Sequence, residues 1–294
     1  MKLRRILRLV MYILAFLLVI WIVAVQAGCM DMRTSDAKWL EKMREKGQSQ
    51  PLKFLDIPAS TGRNIHTVVV ESGDTLPWIL FSHGSPGSAD AYLDYLADTS
   101  LSQYANLVSY DRAGFGFTDY GHPEISLERQ AADLKAVADR LAPGRKVYLV
   151  GHSMGSPVVF RFAMDYPELV AGIINVAGSV DATLEPHPWW QAALDKPPLA
   201  WLLPKSFWAS NREIKYLTPE LERMMPYWER IHCPVVVIHA YNDRLVDVKN
   251  VDFCKRMLVN AKLKVTMLDK GDHFILWSRR DLVREEIRAV LNGW

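Results

Sequence analysis

The chain has 294 residues, half of them hydrophobic and 23% charged, which is enough apolar material for one large core or two small ones. The formal net charge is only +2, and no basic run follows the first residues, so a nucleic-acid surface is not indicated. The three cysteines, Cys29, Cys233 and Cys254, show no CxxC or related spacing, which argues against a zinc held by cysteine. Cys233 precedes an apolar run and reads as a small core residue. Cys254 falls in a predicted helix, and a disulfide between these two is left open, with nothing that requires it.

The N-terminus carries the first strong signal. Lys2, Arg4, Arg5 and Arg8 lead into an unbroken apolar run from Leu9 to Val25. That run exceeds a signal-peptide core of about 7–15 residues and reaches the roughly 17–25 residues of a membrane-spanning helix. The leading positive charges predict an inward N-terminus and an extracytoplasmic remainder. Every face of the segment is apolar, which sets it apart from a one-sided surface helix. Ala27-Gly28-Cys29 at the end of the run has the small-residue-then-cysteine form of a lipoprotein cleavage site, although Gln26 stands where such sites carry an apolar residue. Residues 1–30 are therefore expected to be an uncleaved anchor or a lipoprotein signal with lipidated Cys29; plain secretion is the third possibility.

Residues 31–50 are polar and mostly charged and read as a stalk, possible as a helix, ending before Pro51. From residue 51 onward, strand and helix patterns alternate. Leu52–Ile57 and Ile65–Val70 predict two strands, and Ser72-Gly73-Asp74 turns the chain. Trp78–Phe81 is a short apolar run suited to a buried parallel strand. A helix over Ala89–Ala97 and a strand over Asn106–Tyr110 follow. Ser126–Ala142 is an amphipathic helix, with Leu127, Gln130, Ala131, Leu134, Val137, Ala138 and Leu141 recurring at spacings of three and four. Ser126 is its N-cap, and Pro143-Gly144 stops it. Then come a strand at Val147–Val150, a helix at Met154–Asp165 and a strand at Val170–Val176. Strands at Val235–His239 and Lys264–Leu268 and a helix over about Ser278–Leu291 complete the set. This alternation predicts an α/β fold with a mostly parallel sheet flanked by helices. Residues 183–232 break the rhythm with Trp189, Trp190, Trp201, Trp208 and Trp228, together with Pro186, Pro188, Pro197, Pro198 and Pro204, and are read as a cap insertion.

The chemistry concentrates at strand ends. Gly151-His152-Ser153-Met154-Gly155 is a G-x-S-x-G element between a strand and a helix, the context in which a sharp turn exposes the serine at the carboxyl end of a sheet. A serine hydroxyl needs a base to take its proton. His273, on the loop after the last strand, is the candidate; His152, beside the serine in the turn, is read as packing locally, and His239 as buried at its strand end. The base needs a carboxylate to fix its tautomer. Asp243, just past Val235–His239, is the first choice. Asp247 is the rival and is read instead as the cap of a helix over Asp247–Leu258; Asp272 is too close in sequence to the base. The order Ser153, Asp243, His273 is the one associated with a nucleophile elbow. For a developing oxyanion, the N–H groups of Met154 and of Ser85, in His83-Gly84-Ser85-Pro86-Gly87, are the candidate donors, since Pro86 has none.

Taken together, His83–Gly87, Tyr110-Asp111-Arg112-Ala113-Gly114-Phe115-Gly116, Gly151–Gly155, Asp243 and Gly271-Asp272-His273 resemble the α/β-hydrolase fold family in its serine-nucleophile branch, over about residues 52–294. The resemblance implies an eight-stranded sheet, a lid after the sixth strand and no cofactor. It makes Asp111 and Arg112 structural neighbours of the site. Ser153, where the dehalogenase and epoxide hydrolase branches have Asp, argues against those branches. The expected activity is hydrolysis of a carboxylic ester with an apolar acyl or aromatic part, on a small-molecule acyl substrate. Cleavage of a thioester, lactone, amide or carbon–carbon bond beside a ketone is the alternative within enzymes, and a catalytically silent binding protein is the alternative outside them.

Overall fold

The computed structural model describes residues 2–48 and 50–294. Its centre is one eight-stranded sheet: β1 (Leu52–Pro58), β2 (Asn64–Val70), β3 (Trp78–Ser82), β4 (Asn106–Tyr110), β5 (Val147–His152), β6 (Val170–Val176), β7 (Val235–Ala240) and β8 (Leu263–Leu268). Their spatial order is β1-β2-β4-β3-β5-β6-β7-β8. The hairpin strand β2 runs antiparallel to both its neighbours, and the pairs from β4 to β8 are parallel. This is the mostly parallel sheet expected from the alternation of strand and helix patterns, with the eight strands that the family resemblance implies.

The central strands are apolar on both faces because helices cover both. Every residue of β3, Trp78-Ile79-Leu80-Phe81-Ser82, is buried. Along it the side chains alternate between two cores. Trp78 and Leu80 join the cluster containing Leu134, Leu149 and Phe160, whereas Ile79 and Phe81 join the one containing Ile174, Leu276 and Ile287. A parallel strand buried on both sides reads as a continuous apolar run for this reason. The edge strand β8 carries Lys264 and is only partly buried, which suits a strand whose outer side faces water.

Helix Leu127–Leu141 buries Leu127, Ala131, Leu134, Val137 and Ala138, the face predicted from its spacing. Its cap is formed as expected, with Ser126 Oγ accepting the Arg129 N–H at 3.3 Å. Three boundaries differ from expectation. Residues 89–97 divide into a 3-10 turn at Ala89–Tyr92 and a short helix at Leu93–Leu96. The helix expected over Asp247–Leu258 runs from Asn250 to Met257, because Asp247 Oδ1 accepts the Lys249 N–H at 2.9 Å and closes a turn ahead of it. The C-terminal helix spans Arg280–Leu291 behind a separate turn at Ile275–Ser278.

The N-terminal apolar run forms the helix α1 (Lys2–Gln26), long and apolar enough by length and composition to cross a membrane. Near its end it meets the rest of the protein, where Trp21 Nε1 donates to the Leu202 carbonyl at 2.9 Å and Gln26 Nε2 to that of Trp201 at 3.2 Å. The segment read as a stalk contains the helix α2 (Asp36–Glu45), whose Trp39 and Met43 are buried in the same core cluster as Val68 and Val70 of β2. Their spacing of four puts both on one helix face. In the structure this segment is therefore packed onto the sheet, a role its polar composition conceals.

Candidate active site

Chain direction brings the candidate residues to one place. Ser153 follows β5, Asp243 follows β7 and His273 follows β8, so all three lie past the carboxyl ends of parallel strands. Ser153 sits in the left-handed region at φ +51°, a conformation that is uncommon and costly for a non-glycine residue. It is held there from both sides: its N–H donates to the Val176 carbonyl at 3.0 Å, and its carbonyl accepts the Ser156 N–H at 3.0 Å. The flanking glycines let the turn close. A Cβ on Gly155 would stand 2.1 Å from the Ser82 carbonyl oxygen, and one on Gly151 would stand 2.7 Å from the Ser156 Cα.

His273 Nδ1 lies 2.9 Å from Asp243 Oδ2, and both side chains are almost wholly buried. The carboxylate is densely satisfied. Its Oδ1 accepts the N–H groups of Leu245 and Val246, each at 2.9 Å, while His239 Nε2 lies 3.4 Å from Oδ2. Burial alone would raise the Asp243 pKa, but hydrogen bonds from the two histidines and the backbone outweigh it and hold the group below the ordinary carboxylate range. Asp247, the rival acid, is exposed and caps its own turn.

His152 is placed against His273, with the ring centroids 5.0 Å apart and its Nε2 3.1 Å from the His273 carbonyl oxygen. Burial pushes its pKa down to about 3, so it is neutral at any pH where the protein would work. Among the described residues no hydrogen bond joins the Ser153 hydroxyl to His273; the two share a cavity wall. Such contacts are often loose without substrate.

The loop His83–Gly87 faces the serine from β3. A Cβ on Gly84 would lie 3.1 Å from that of Ser153, so the glycine lets the loop approach. Arg112 holds the loop from behind: its Nε donates to the His83 carbonyl at 2.9 Å and its Nη2 to that of Gly84 at 3.2 Å. Ser85, the next residue, lines the cavity beside Ser153 and Met154. Among the described residues neither the Ser85 nor the Met154 N–H donates to a backbone carbonyl. Arg112 is neutralised by Glu213 of helix Lys205–Lys215, at 2.7 Å and 3.1 Å, with both side chains essentially inaccessible. Asp111 is spent on architecture: its carboxylate accepts the N–H groups of Ala89 and Phe117.

Ser153, His273, Ser85 and Met154 line a cavity of about 720 Å³. Its wall includes Leu217, Ile214, Phe274 and Trp277, together with the carboxyls of Asp90 and the half-buried Glu185, whose pKa burial raises. Ser179 Oγ donates to Glu185. Sequence reasoning gave no role at the site to Glu185, His239 or Trp277. A histidine four residues before a candidate acid is a usable signal for His239; nothing in sequence marks the other two. Among the described residues no group of three or more His, Cys, Asp or Glu side chains is arranged to hold a metal.

The sheet order and the placement of the site past the carboxyl ends of its strands define the architecture of an α/β hydrolase. A family model described as alpha/beta hydrolase fold matches residues 77–208. Among curated proteins, Protein ABHD8 of Homo sapiens is 28% identical over 230 residues, covering 67% of this chain and 51% of that protein; the chain thus spans about half the length of this relative. Proline iminopeptidase of Lactobacillus helveticus is 28% identical over 135 residues, covering 45% of this chain and 44% of that protein. Among solved structures, the crystal structure of a membrane phospholipase A, a bacterial virulence factor, is 18% identical, covers 100% of this chain and 99% of that one, and superposes with a TM-score of 0.65. At that identity the likeness is one of fold alone.

Proposed function

We propose that the protein is a serine hydrolase that cleaves carboxylic esters with an apolar acyl or aromatic part. The observation that carries this reading is the convergence, on one mostly apolar cavity, of a serine in a left-handed turn, a histidine bonded to a buried carboxylate, and the N–H groups of Ser85 and Met154. In this reading His273 Nε2 takes the proton of Ser153 as Oγ attacks the ester carbonyl. The carbonyl oxygen becomes an anion, which the N–H groups of Ser85 and Met154 stabilise. Asp243 fixes Nδ1 as the protonated nitrogen and stabilises the imidazolium. His273 then protonates the departing alkoxide as the C–O bond breaks, leaving an acyl group on Ser153. Water, deprotonated by His273, attacks that acyl carbon and releases the acid. No cofactor enters these steps.

The same reading anchors the protein in a membrane through α1, with the sheet domain on the extracytoplasmic side. The length and exposure of α1 support it. Replacing Cys29 by Ser separates the two forms of anchor: an uncleaved helix leaves size and membrane fractionation unchanged, whereas a lipidated Cys29 gives an unprocessed precursor.

A fluorophosphonate probe tests the chemistry. Wild type should be labelled at Ser153 and hydrolyse p-nitrophenyl esters, with a preference among acyl chain lengths. Ser153→Ala should lose labelling and lose on the order of 10⁴–10⁶ in rate. A folded Ser153→Ala variant that keeps more than about a tenth of wild-type activity would remove the serine from its role.

A further inference from the structure

The insertion between β6 and β7 treats its tryptophans differently, with Trp208 half-buried between two extremes. Trp228 is a core residue, buried against Phe160 and Phe253 with ring centroids 5.0 Å and 5.3 Å away. Trp189, Trp190, Trp201 and Phe207, together with Leu199, are exposed instead, Trp189 to 84% and Trp201 to 51%. These residues are grouped in space. The short helix Trp190–Leu194 packs against both the turn Leu199–Leu202 and the helix Lys205–Lys215, which carries Phe207. Single exposed apolar residues are ordinary, whereas a contiguous aromatic patch marks a surface that something covers.

The position of the patch identifies what covers it. The turn Leu199–Leu202 receives hydrogen bonds from Trp21 and Gln26 of α1, so the patch is fixed at the exit of the apolar helix. The seventeen residues from Leu9 to Val25 rise about 25 Å as a helix, close to the thickness of a bilayer's hydrocarbon. Gln26 and the Trp201 carbonyl it binds then fall at the boundary between hydrocarbon and headgroups. Trp and Phe favour that boundary, where an apolar ring meets a wet edge. Charge agrees with this placement. Lys196 and Lys205 are exposed beside the patch and have no acidic partner among the described ion pairs, while Asp195 is engaged by Arg212 and Lys215. Flexible lysines at the rim of an aromatic face suit anionic headgroups.

We infer that the exposed aromatic face of the insertion, around Trp189, Trp201 and Phe207, rests in the interfacial layer of the same bilayer that α1 crosses, so that the domain is held to the membrane at two places. The inference rests on the anchoring proposed for α1 and not on the hydrolase chemistry.

Photocrosslinking in the full-length protein tests it. p-Benzoylphenylalanine is placed singly at Trp201, at Phe207, at Phe16 inside the apolar helix, and at Tyr104, an exposed residue just before β4 at the opposite end of the sheet. Each variant is first shown to keep the wild-type thermal unfolding midpoint. It is then reconstituted in vesicles of phosphatidylethanolamine and phosphatidylglycerol with a trace of alkyne-tagged phosphatidylglycerol, and irradiated. The expected result is lipid adduct at positions 201 and 207 at least about fivefold above position 104, with position 16 labelled as well. Labelling at position 16 with positions 201 and 207 no higher than 104 overturns the inference and leaves the anchor standing. Crosslinks from 201 or 207 to a second copy of the chain in place of lipid also overturn it. Absence of label at position 16 overturns both the inference and the anchor, while fluorophosphonate labelling tests the chemistry independently of either.

Discussion

His239 Nε2 stands 3.4 Å from the same Oδ2 of Asp243 that His273 Nδ1 reaches at 2.9 Å. His239 is buried on β7, and its Nε2 also lies 3.2 Å from the Val246 carbonyl. It therefore braces the carboxylate and the turn that follows it. His239→Leu removes this donor and leaves the others in place. A hydrogen bond to a charged group contributes about 1.5–3 kcal/mol, so kcat/KM should fall by about 10–100-fold. The loss should appear in kcat more than in KM, because no substrate contact is removed. Steady-state kinetics on a soluble p-nitrophenyl ester provide the check; a change confined to KM would place His239 at the substrate instead.

Asp243 and Asp247 are four residues apart and have different surroundings. Asp243 is buried against His273, whereas Asp247 is exposed and bonded only to its own turn. Asp243→Asn should lower kcat by about 10⁴, by disfavouring the histidine tautomer that can act as a base. Asp247→Asn should change it by no more than about twofold, as for most surface substitutions. Parallel kinetics on the two variants decide the matter, and the reverse ranking would move the acid to Asp247.

The acid side of the pH–rate profile has few available owners. Burial holds His152 down at about 3, and Asp243 is held below the carboxylate range by its donors, so neither titrates between about pH 5 and about pH 8. A base must be neutral to act, so the rate should fall through one ionisation as pH drops across that window. Glu185 is the rival owner within the cavity, because burial raises its pKa. If His273 is the base, kcat/KM of Glu185→Gln keeps the same acid limb. Loss of the limb in that variant would transfer it to Glu185.

Glu213 and Arg112 tie the insertion to the loop that presents Ser85. Burial raises the Glu213 pKa while the adjacent guanidinium lowers it. Removing one member of a buried pair leaves the other charge uncompensated, at a cost of about 3–5 kcal/mol. Glu213→Ala should therefore lose about that much stability in urea unfolding and also lose esterase activity, since Arg112 is then free to release the His83 and Gly84 carbonyls. In the double variant Arg112→Met/Glu213→Leu, stability should recover by more than half while activity does not. Recovery of both would mean that Arg112 plays no part in shaping the loop.

The fold was legible because its signals are local and repeated. Each parallel strand is a short apolar run bounded by turn residues, and the serine, acid and histidine candidates follow three of these runs directly. The parts that were not legible depend on contacts distant in sequence. Trp39 and Met43 look like stray apolar residues in a polar segment until α2 folds against β2. Glu213 is an ordinary helix residue until Arg112, a hundred and one positions earlier, lies beside it. The tryptophans of the insertion are alike in sequence, and only the folded chain separates the buried Trp228 from the exposed Trp201.

The insertion leaves the sheet after β6 and returns in β7, and these two strands are direct neighbours, Ile173 facing Val235 and Val176 facing Ile238. The pair is parallel, so the chain leaves at the carboxyl end of β6 and has to cross to the other end of the sheet before it can enter β7. The crossing is made by residues 217–230, whose Leu217, Leu221, Met224 and Trp228 belong to the core under the sheet, whereas residues 186–204 contribute nothing to either core and form a removable outer layer. Substrate preference in a protein built this way can diverge quickly while the chemistry below stays unchanged, and libraries aimed at new esters are best confined to residues 186–204.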